Sequence, residues 1–318
     1  MPGLDPNSLV PIATATLRSG ANLPFDLYLL PGNTSRPILY RERRFPLDDQ
    51  EIATLQNRDI RTLFIAFGGL RDYEHYLRES LLHDDTISPA QKLGTIREAN
   101  RSQFHDAMKQ KSLGPVVDLM TRMGNEYAQL VADRETNAIE LLKVLEHDYY
   151  TYTHVTNVCT YCLLLARGIG IHDAESLREI AAGALLHDVG KRAVPASILN
   201  KPGRLTSEEM RIMQRHPTSG FRELVHRDDV TFGQLMMVYQ HHERLNGSGY
   251  PVQSTGDEIH LWARICAIAD VFDALTCYCP YRHPMPSAEV LRLLENGAPD
   301  SYDQELVNCW SSLLKQSS

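Results

Sequence analysis

Residues 241–251 read HHERLNGSGYP: two adjacent histidines are followed by a glycine-rich turn that ends in Gly249-Tyr250-Pro251. Two interpretations fit this stretch. In one, the histidines cap a helix before an ordinary turn. In the other, they bind a metal whose substrate lies against the loop. The histidines in the rest of the chain decide between the two.

Ten of the thirteen histidines follow residue 145, where the sequence pattern predicts one helix after another. We expect Asp173 to cap the helix that ends at HDVGK (187–191), and Thr206 with Glu209 to form a capping box on the next one. The helix before HHER is expected to bury Phe232, Leu235, Met236 and Tyr239. The polar residues at the ends or inner edges of the predicted helices are His154, His187, Asp188, His216, His241, His242 and Asp270.

Taken singly, each of these seven residues is typical of a hydrogen-bonded core position. Taken together, they require one domain to bury several imidazoles and two carboxylates, each with a partner that offsets its desolvation. Two shared divalent cations satisfy all seven at once and leave positions for water and substrate. We therefore predict a two-metal hydrolytic centre with about 3.5–4 Å between the ions. Asp273, three residues after Asp270, is interpreted as a structural hydrogen-bond acceptor.

HDVGK at 187–191, HHERLNGSGYP at 241–251 and IADVFDAL at 268–275 resemble the motifs of the HD-GYP family, a bacterial branch of the HD metal-dependent phosphohydrolases. The resemblance covers residues 137 to 315. It implies an all-helical domain with two divalent metal ions. Iron and manganese are the preferred ions, and other transition metals are the alternative. The implied reaction is hydrolysis of cyclic di-GMP to the linear dinucleotide pGpG, to GMP or to both, by a hydroxide that bridges the ions.

The resemblance also implies roles for individual residues. One ion would be held by His154, His187, Asp188 and Asp270, and the other by His216, His241 and His242, with Asp188 bridging. Asp188 and Lys191 would be catalytic, and Lys191 would face the phosphate and stabilise or protonate the leaving oxygen. The residues implied to contact the substrate are Gly247, Gly249, Tyr250 and Arg282.

The sequence departs from the family pattern in three places. Tyr150 stands where members with a third metal carry glutamate, which predicts two ions here. Cys279 replaces an arginine before Pro280-Tyr281-Arg282, and Leu245-Asn246 replaces the commoner tryptophan-aspartate. Two alternatives therefore stay open: a catalytically weak cyclic di-GMP receptor or signalling scaffold, and a phosphodiesterase for another cyclic dinucleotide such as a mixed cyclic GMP-AMP.

The composition and net charge limit the classes of protein to which this chain can belong. At 318 residues, with 43% hydrophobic and 23% charged residues, the chain fits about two globular domains. A net charge of −8 argues against extended nucleic acid, but it allows a small anionic ligand held by metals. The apolar runs are too short to predict a membrane span. The cysteines begin at Cys159 and no secretory pattern precedes them, which predicts reduced thiols in a cytoplasm. The family resemblance implies that this cytoplasm is bacterial.

The whole chain is predicted to be multidomain. A small α+β sensory or regulatory domain (1–85) is followed by connecting helices (86–136) and an all-α HD-type domain (137–318). The β-prone runs of the first domain are ATATL (13–17), FDLYLL (25–30), RPILYR (36–41) and TLFIAF (62–67). We expect this first domain to bind a protein partner.

An apolar stripe at helical spacing marks the connecting segment. Its residues are Val116, Leu119, Met123, Tyr127 and Leu130. The stripe connects the domains, mediates a homodimer through residues 88–133, or forms the first helix of the second domain; the last interpretation is favoured.

Overall fold

The structure is a computed structural model that describes residues 8–30, 36–82, 84, 86–132, 138–143, 145, 151–278, 283–296 and 300–315. The chain divides into two compact units, Met1–Arg101 and Ser102–Ser318. The first contains a sheet with helices and the second is helical, as the predicted fold class requires. None of the helices in the described ranges combines the length and apolar character needed to cross a bilayer.

The first unit is built on a four-stranded antiparallel sheet in the order β1-β4-β2-β3. The strands are β1 Leu9–Ala13, β2 Leu27–Leu29, β3 Ile38–Arg41 and β4 Thr62–Ala66, and the helices are α1 Asp49–Asn57 and α2 Leu70–Leu77. Leu27 of β2, Leu63 of β4 and Tyr73 of α2 belong to one buried core. The burial of their apolar surface holds the sheet and the helices together.

The predicted first strand, residues 13–17, is wrong. Thr14–Thr16 forms a 3-10 turn, and the strand precedes it at Leu9–Ala13. That strand pairs with β4 and lies at the edge of the sheet, where the missing N–H of Pro11 is tolerated. The turn is fixed by Thr14, whose Oγ1 donates to the carbonyl oxygen of Ile60 at 2.9 Å.

The remaining helices follow one another along the chain. They are α3 Pro89–Lys109, α4 Gly114–Ala132, α5 Ala138–Lys143, α6 Thr151–Gly168, α7 Ala174–Leu186, α8 Ala196–Leu199, α9 Ser207–Met213, α10 His216–Leu224, α11 Phe232–Gln240, α12 Leu261–Thr276, α13 Ser287–Asn296 and α14 Gln304–Lys315. In the second unit, α7 packs against α4, α6 and α11, and α12 packs against α6 and α11. This arrangement makes α6, α7, α11 and α12 the frame of the site described below.

Two predicted helix caps are confirmed. Asp173 accepts a hydrogen bond through Oδ1 from the backbone N–H of Ser176 at 2.8 Å. Thr206 and Glu209 form the reciprocal capping box at the start of α9. These side chains satisfy amide groups that the helix itself leaves unpaired, which places the two helix starts where the sequence predicts them.

The apolar stripe of α4 is buried inside the second unit. All five stripe residues are buried, and α4 packs on α7. The helix thus contributes to the core of this unit, in line with the favoured interpretation. Because these side chains are covered by their own chain, they give no support to the homodimer predicted through residues 88–133.

Helix α11 buries a different face from the predicted one. Phe232 is 67% exposed, whereas Gln234, Met237, Val238 and Gln240 are buried. Two glutamines can be buried because their amides bond to backbone groups: Gln240, for example, donates to the carbonyl oxygen of Glu258 at 2.9 Å and accepts from the amide of His260 at 3.0 Å. The hydrophobic pattern alone does not reveal these tertiary partners.

Candidate metal centre

Helix ends bring the predicted ligands together. His154 lies in the first turn of α6, His187 and Asp188 follow α7, and His216 opens α10. His241 and His242 follow α11, and Asp270 lies within α12. Side chains at helix ends can diverge from adjacent backbone positions, so neighbouring residues reach different sides of one site.

A glycine allows two of these helix ends to approach each other. Gly190 lies two residues after Asp188, and a Cβ atom there would come within 2.0 Å of the carbonyl oxygen of His216. A larger residue at this position would push α10 away from the segment after α7. The absence of a side chain therefore brings His216 close to Asp188.

The histidines form two clusters. In the first, His154, His187 and Asp188 each offer one ligand atom, and these atoms lie within 4.8 Å of one another. In the second, the same holds for His216, His241 and His242. Each cluster supplies three ligands of the kind that transition metals prefer.

Asp188 belongs to the first cluster, and its carboxylate also borders the second. It presents one oxygen to the histidines of each cluster. Its Oδ1 is 3.3 Å from His216 Nε2 and 3.9 Å from His241 Nε2. Its Oδ2 is 3.3 Å from His187 Nε2 and 3.5 Å from His154 Nε2. A carboxylate in this position can bridge two ions.

A second carboxylate also faces both clusters. Asp270 Oδ1 lies 3.3 Å from His154 Nε2, and its Oδ2 lies 3.8 Å from His242 Nδ1. The resemblance assigns Asp270 to one ion only. The sequence contains no signal for this dual orientation, because it depends on how α12 packs between the other helix ends.

Backbone carbonyls hold three of the imidazole rings. The Nδ1 atom of His187 donates to Ala184 at 2.6 Å, that of His216 to Met213 at 2.9 Å, and that of His241 to Met237 at 3.0 Å. A carbonyl oxygen only accepts, so each Nδ1 carries a proton, and in the neutral form of the ring each Nε2 presents its lone pair. All three Nε2 atoms point toward Asp188.

The donor set fits a bound cation better than it fits a metal-free core. The Nε2 atoms of His216 and His241 lie 3.2 Å apart, although neither carries a proton to share. His187 Nε2 is buried 3.3 Å from Asp188 Oδ2 and has no well-aligned hydrogen-bond partner among the described residues. A divalent ion would satisfy these lone pairs, and a site rich in imidazole favours transition metals over magnesium or calcium.

The pKa values differ between the two clusters. Desolvation lowers the pKa of His216 to about 4 and of His242 to about 3, and it holds the pKa of His241 well below its ordinary value. These three imidazoles are therefore neutral at neutral pH, the form that binds a metal.

In the first cluster, the nearby carboxylates outweigh desolvation and raise the pKa values of the histidines. Desolvation opposes the protonated forms there, but Asp188 raises the pKa of His187 to about 9, and Asp188, Asp270 and Asp273 hold the pKa of His154 well above its ordinary value. Burial would raise the pKa of Asp188, yet Lys191 and His187 keep it well below normal. A metal entering this cluster would displace protons from the two imidazoles.

Lys191 and the glycine-rich loop border the centre. Lys191 Nζ donates to Asp188 Oδ2 at 2.5 Å. The ring of Tyr250 stacks on His242, with centroids 4.6 Å apart and planes at 27°. Gly249 is required for this fold of the loop, because a Cβ atom there would lie 2.5 Å from the Arg244 nitrogen and the carbonyl oxygen of His242.

Two carboxylates outside the predicted ligand set make contacts that support the centre. Asp273 accepts a hydrogen bond from His154 Nδ1, which confirms its interpretation as an acceptor. Glu243, which no pattern singled out, is buried, and its Oε1 accepts from the amides of Val252 at 2.7 Å and Gln253 at 3.1 Å. Its place directly after two predicted ligand histidines is the signal that could have identified it.

Three residues with predicted roles lie outside the described residues. They are Tyr150, Cys279 and Arg282. The expected contact of Arg282 with substrate and the consequence of the cysteine at position 279 therefore stay predictions.

A family model with the description HD domain matches residues 127–306, more than half of the chain. The chain therefore belongs to the HD domain family, and its motifs at 187–191, 241–251 and 268–275 resemble those of the HD-GYP branch. Among solved structures, Bd1817, an HDG"Y"P protein from Bdellovibrio bacteriovorus, aligns with a TM-score of 0.69 over 96% of this chain and 99% of that chain. Its sequence is 20% identical, so this likeness concerns the fold.

Two curated relatives are closer in sequence. The cyclic di-GMP phosphodiesterase PA4108 of Pseudomonas aeruginosa is 34% identical over 218 residues, 68% of this chain and 50% of that protein. The 3'3'-cGAMP-specific phosphodiesterase 3 of Vibrio cholerae is 40% identical over 167 residues, 52% of this chain and 35% of that protein. The chain thus corresponds to half or less of the length of either relative.

Proposed function

We propose that this chain is a metal-dependent phosphodiesterase that hydrolyses cyclic di-GMP to pGpG, to GMP or to both. One observation carries the proposal: the two oxygens of Asp188 face two separate histidine clusters. The relationship to PA4108, a cyclic di-GMP phosphodiesterase, supports the choice of substrate. The family supports the metal dependence.

The proposed ligands divide as the clusters do. His154, His187, Asp188 and Asp270 would hold one ion, and His216, His241 and His242 would hold the other, with Asp188 shared. Five imidazoles and two carboxylates suit iron or manganese, which accept mixed nitrogen and oxygen ligands. Two such ions supply Lewis-acid stabilisation of a phosphoryl group and lower the pKa of bound water toward neutrality.

Lys191 is the proposed cationic partner of the scissile phosphate. Its ammonium group is already at the centre, 2.5 Å from Asp188 Oδ2, and its side chain is 28% exposed. From there it can donate hydrogen bonds to a phosphate oxygen and donate a proton to the leaving sugar oxygen. Asp188 orients this ammonium group through the same hydrogen bond.

The loop of Gly247, Gly249 and Tyr250 is proposed to lie against the dinucleotide. The Tyr250 amide donates to the carbonyl oxygen of His242 at 3.2 Å, and its ring covers the His242 imidazole. The loop is thus attached to a proposed ligand residue. Bound substrate and an ordered metal centre would support each other through this attachment.

The test uses protein purified without oxygen, loaded with Mn²⁺ or Fe²⁺, and incubated with cyclic di-GMP. Anion-exchange chromatography of the products should show metal-dependent formation of pGpG or GMP. The Asp188→Ala variant and chelator-treated protein serve as controls. Protein that carries two ions and binds cyclic di-GMP without turnover would overturn the enzyme in favour of a receptor or scaffold.

A second candidate substrate is 3'3'-cGAMP. The observation that favours it is the 40% identity to a 3'3'-cGAMP-specific phosphodiesterase. The same chromatographic assay, run with both cyclic dinucleotides at equal concentration, compares their kcat/KM values. A larger value for 3'3'-cGAMP would replace cyclic di-GMP as the proposed substrate and leave the metal chemistry unchanged.

A further inference from the structure

We propose that Asp273 is a positioning residue that holds the His154 imidazole in its metal-binding orientation and strengthens one of the two metal positions selectively. The proposal rests on the two-metal centre proposed above. It gives Asp273 a role distinct from the seven predicted ligands, because Asp273 acts through His154 and not on the ion.

The geometry is that of a carboxylate holding the far side of a ligand ring. Asp273 Oδ2 lies 2.7 Å from His154 Nδ1. The other ring nitrogen, Nε2, points to Asp188 Oδ2 at 3.5 Å and Asp270 Oδ1 at 3.3 Å. The proton on Nδ1 is thus directed to Asp273, which leaves Nε2 for the centre.

Asp273 is itself held in place. Its side chain is 1% exposed, and its Oδ1 accepts a hydrogen bond from Asn157 Nδ2 at 2.7 Å. His154 and Asn157 lie one turn apart on α6, as Asp270 and Asp273 do on α12. The packed pair of helices therefore carries a proposed ligand and a supporting residue on each side.

His154 needs such a partner more than His187, His216 or His241 does. Its side chain is 19% exposed, whereas those of His187, His216 and His241 are 0% to 1% exposed and their Nδ1 atoms bond to backbone carbonyls. Packing and the backbone fix these three rings. A buried side-chain carboxylate fixes the more exposed one.

The charge of Asp273 adds to its orienting effect. A carboxylate that accepts from the far nitrogen makes an imidazole a stronger ligand than a neutral carbonyl does, and loss of such partners typically weakens metal binding about 10- to 100-fold. His154 belongs to the first cluster only. The loss is therefore expected at one ion and not at the other.

The experiment titrates chelator-treated full-length protein with Mn²⁺ and follows free Mn²⁺ by electron paramagnetic resonance. The wild-type chain should bind two ions. Asp273→Asn, which keeps the shape and removes the charge, should weaken one ion about 10- to 100-fold and leave the other unchanged. His154→Ala, which deletes the ligand itself, should weaken the same ion and identifies it.

Two further variants keep the test decisive. Asp303→Asn removes a carboxylate that pairs with Arg264 in the same unit and contacts none of the proposed ligands, so both affinities should match the wild type. Asn157→Leu removes the hydrogen bond that Asn157 donates to Asp273 and leaves the charge of Asp273 in place. It should therefore lower the affinity for the same ion by a smaller factor. If Asp273→Asn lacks the wild-type circular dichroism spectrum, the Asn157→Leu result decides.

The proposal is overturned if folded Asp273→Asn binds both ions with wild-type affinity, or if both affinities fall by the same factor. Neither result depends on catalysis. A wild-type chain that binds two Mn²⁺ ions but hydrolyses no cyclic dinucleotide would refute the proposed function and leave the role of Asp273 intact. The two proposals therefore fail independently.

Discussion

His216 and His241 face each other through their Nε2 atoms, which lie 3.2 Å apart beside Asp188 Oδ1. Backbone carbonyls hold the Nδ1 protons of both rings, so two lone pairs occupy the space between them. Such a contact is unfavourable in a buried polar site without a cation and favourable with one. The consequences of this contact can be tested directly.

Mn²⁺ should raise the melting temperature of chelator-treated protein. An ion that binds only the folded state stabilises it by about 2.7 kcal/mol at a free concentration of 100 times Kd. Mg²⁺ should raise Tm far less at the same concentration, because it prefers oxygen ligands and the site offers five imidazoles. Differential scanning fluorimetry measures both shifts, and equal shifts would contradict an imidazole-based site.

Asp188→Ala should abolish binding of both ions and all hydrolysis. The substitution removes a carboxylate whose two oxygens face the two clusters, and it leaves Lys191 beside the histidines without the carboxylate to which it donates. Metal content by mass spectrometry and product formation by chromatography check the prediction. Asp229→Ala, which removes a surface partner of Arg227, should retain both ions. An Asp188→Ala variant with full activity would refute the two-metal centre.

Lys191→Ala should keep both ions and slow turnover by about 10²-fold or more, as expected for loss of a positioned acid or electrostatic stabiliser. The effect should appear in kcat, with bound metal unchanged. Lys201→Ala removes a lysine that pairs with Glu209 outside the centre, and it should leave kcat at the wild-type value. Normal turnover by Lys191→Ala would show that the assigned role is wrong.

Gly249→Ala should disturb the loop without removing a proposed ligand. The added Cβ atom would lie 2.5 Å from backbone atoms of His242, Glu243 and Arg244, so the loop must shift. We expect kcat/KM to fall by about 10- to 10²-fold, because a misplacement of about 1 Å has effects of this size. Ser248→Ala, in the same loop but exposed, should change kcat/KM little; equal values for the two variants would argue against the close approach.

Gly190→Ala should weaken the second cluster and destabilise the chain. Its Cβ atom would overlap the carbonyl oxygen of His216 at 2.0 Å, which forces α10 away from Asp188. Overpacking of this kind costs about 1–3 kcal/mol of unfolding free energy. Urea denaturation and Mn²⁺ titration measure the two effects. Gly114→Ala is the control, because its Cβ atom would meet neighbours no closer than 3.7 Å.

Much of the second unit could be predicted because its signals are local. The caps at Asp173 and Thr206 depend on residues three positions apart, and the α4 stripe depends on helical spacing. The candidate ligands occur in short sequence motifs, so these residues can be recognised from the sequence before their geometry is known. Local signals were less decisive in the first unit, where the strand that pairs with β4 is Leu9–Ala13 and not the predicted residues 13–17.

The sequence by itself determined the helices, the caps and the set of polar residues that a metal centre could use. Only the tertiary structure decided which face of α11 is buried, that Asp270 faces both clusters, and that Asp273 holds His154 across 119 residues of chain. The physical reason is that a hydrogen bond or a packed face depends on where two distant elements meet. The spacing of residues along a single helix does not specify which distant element that helix will contact.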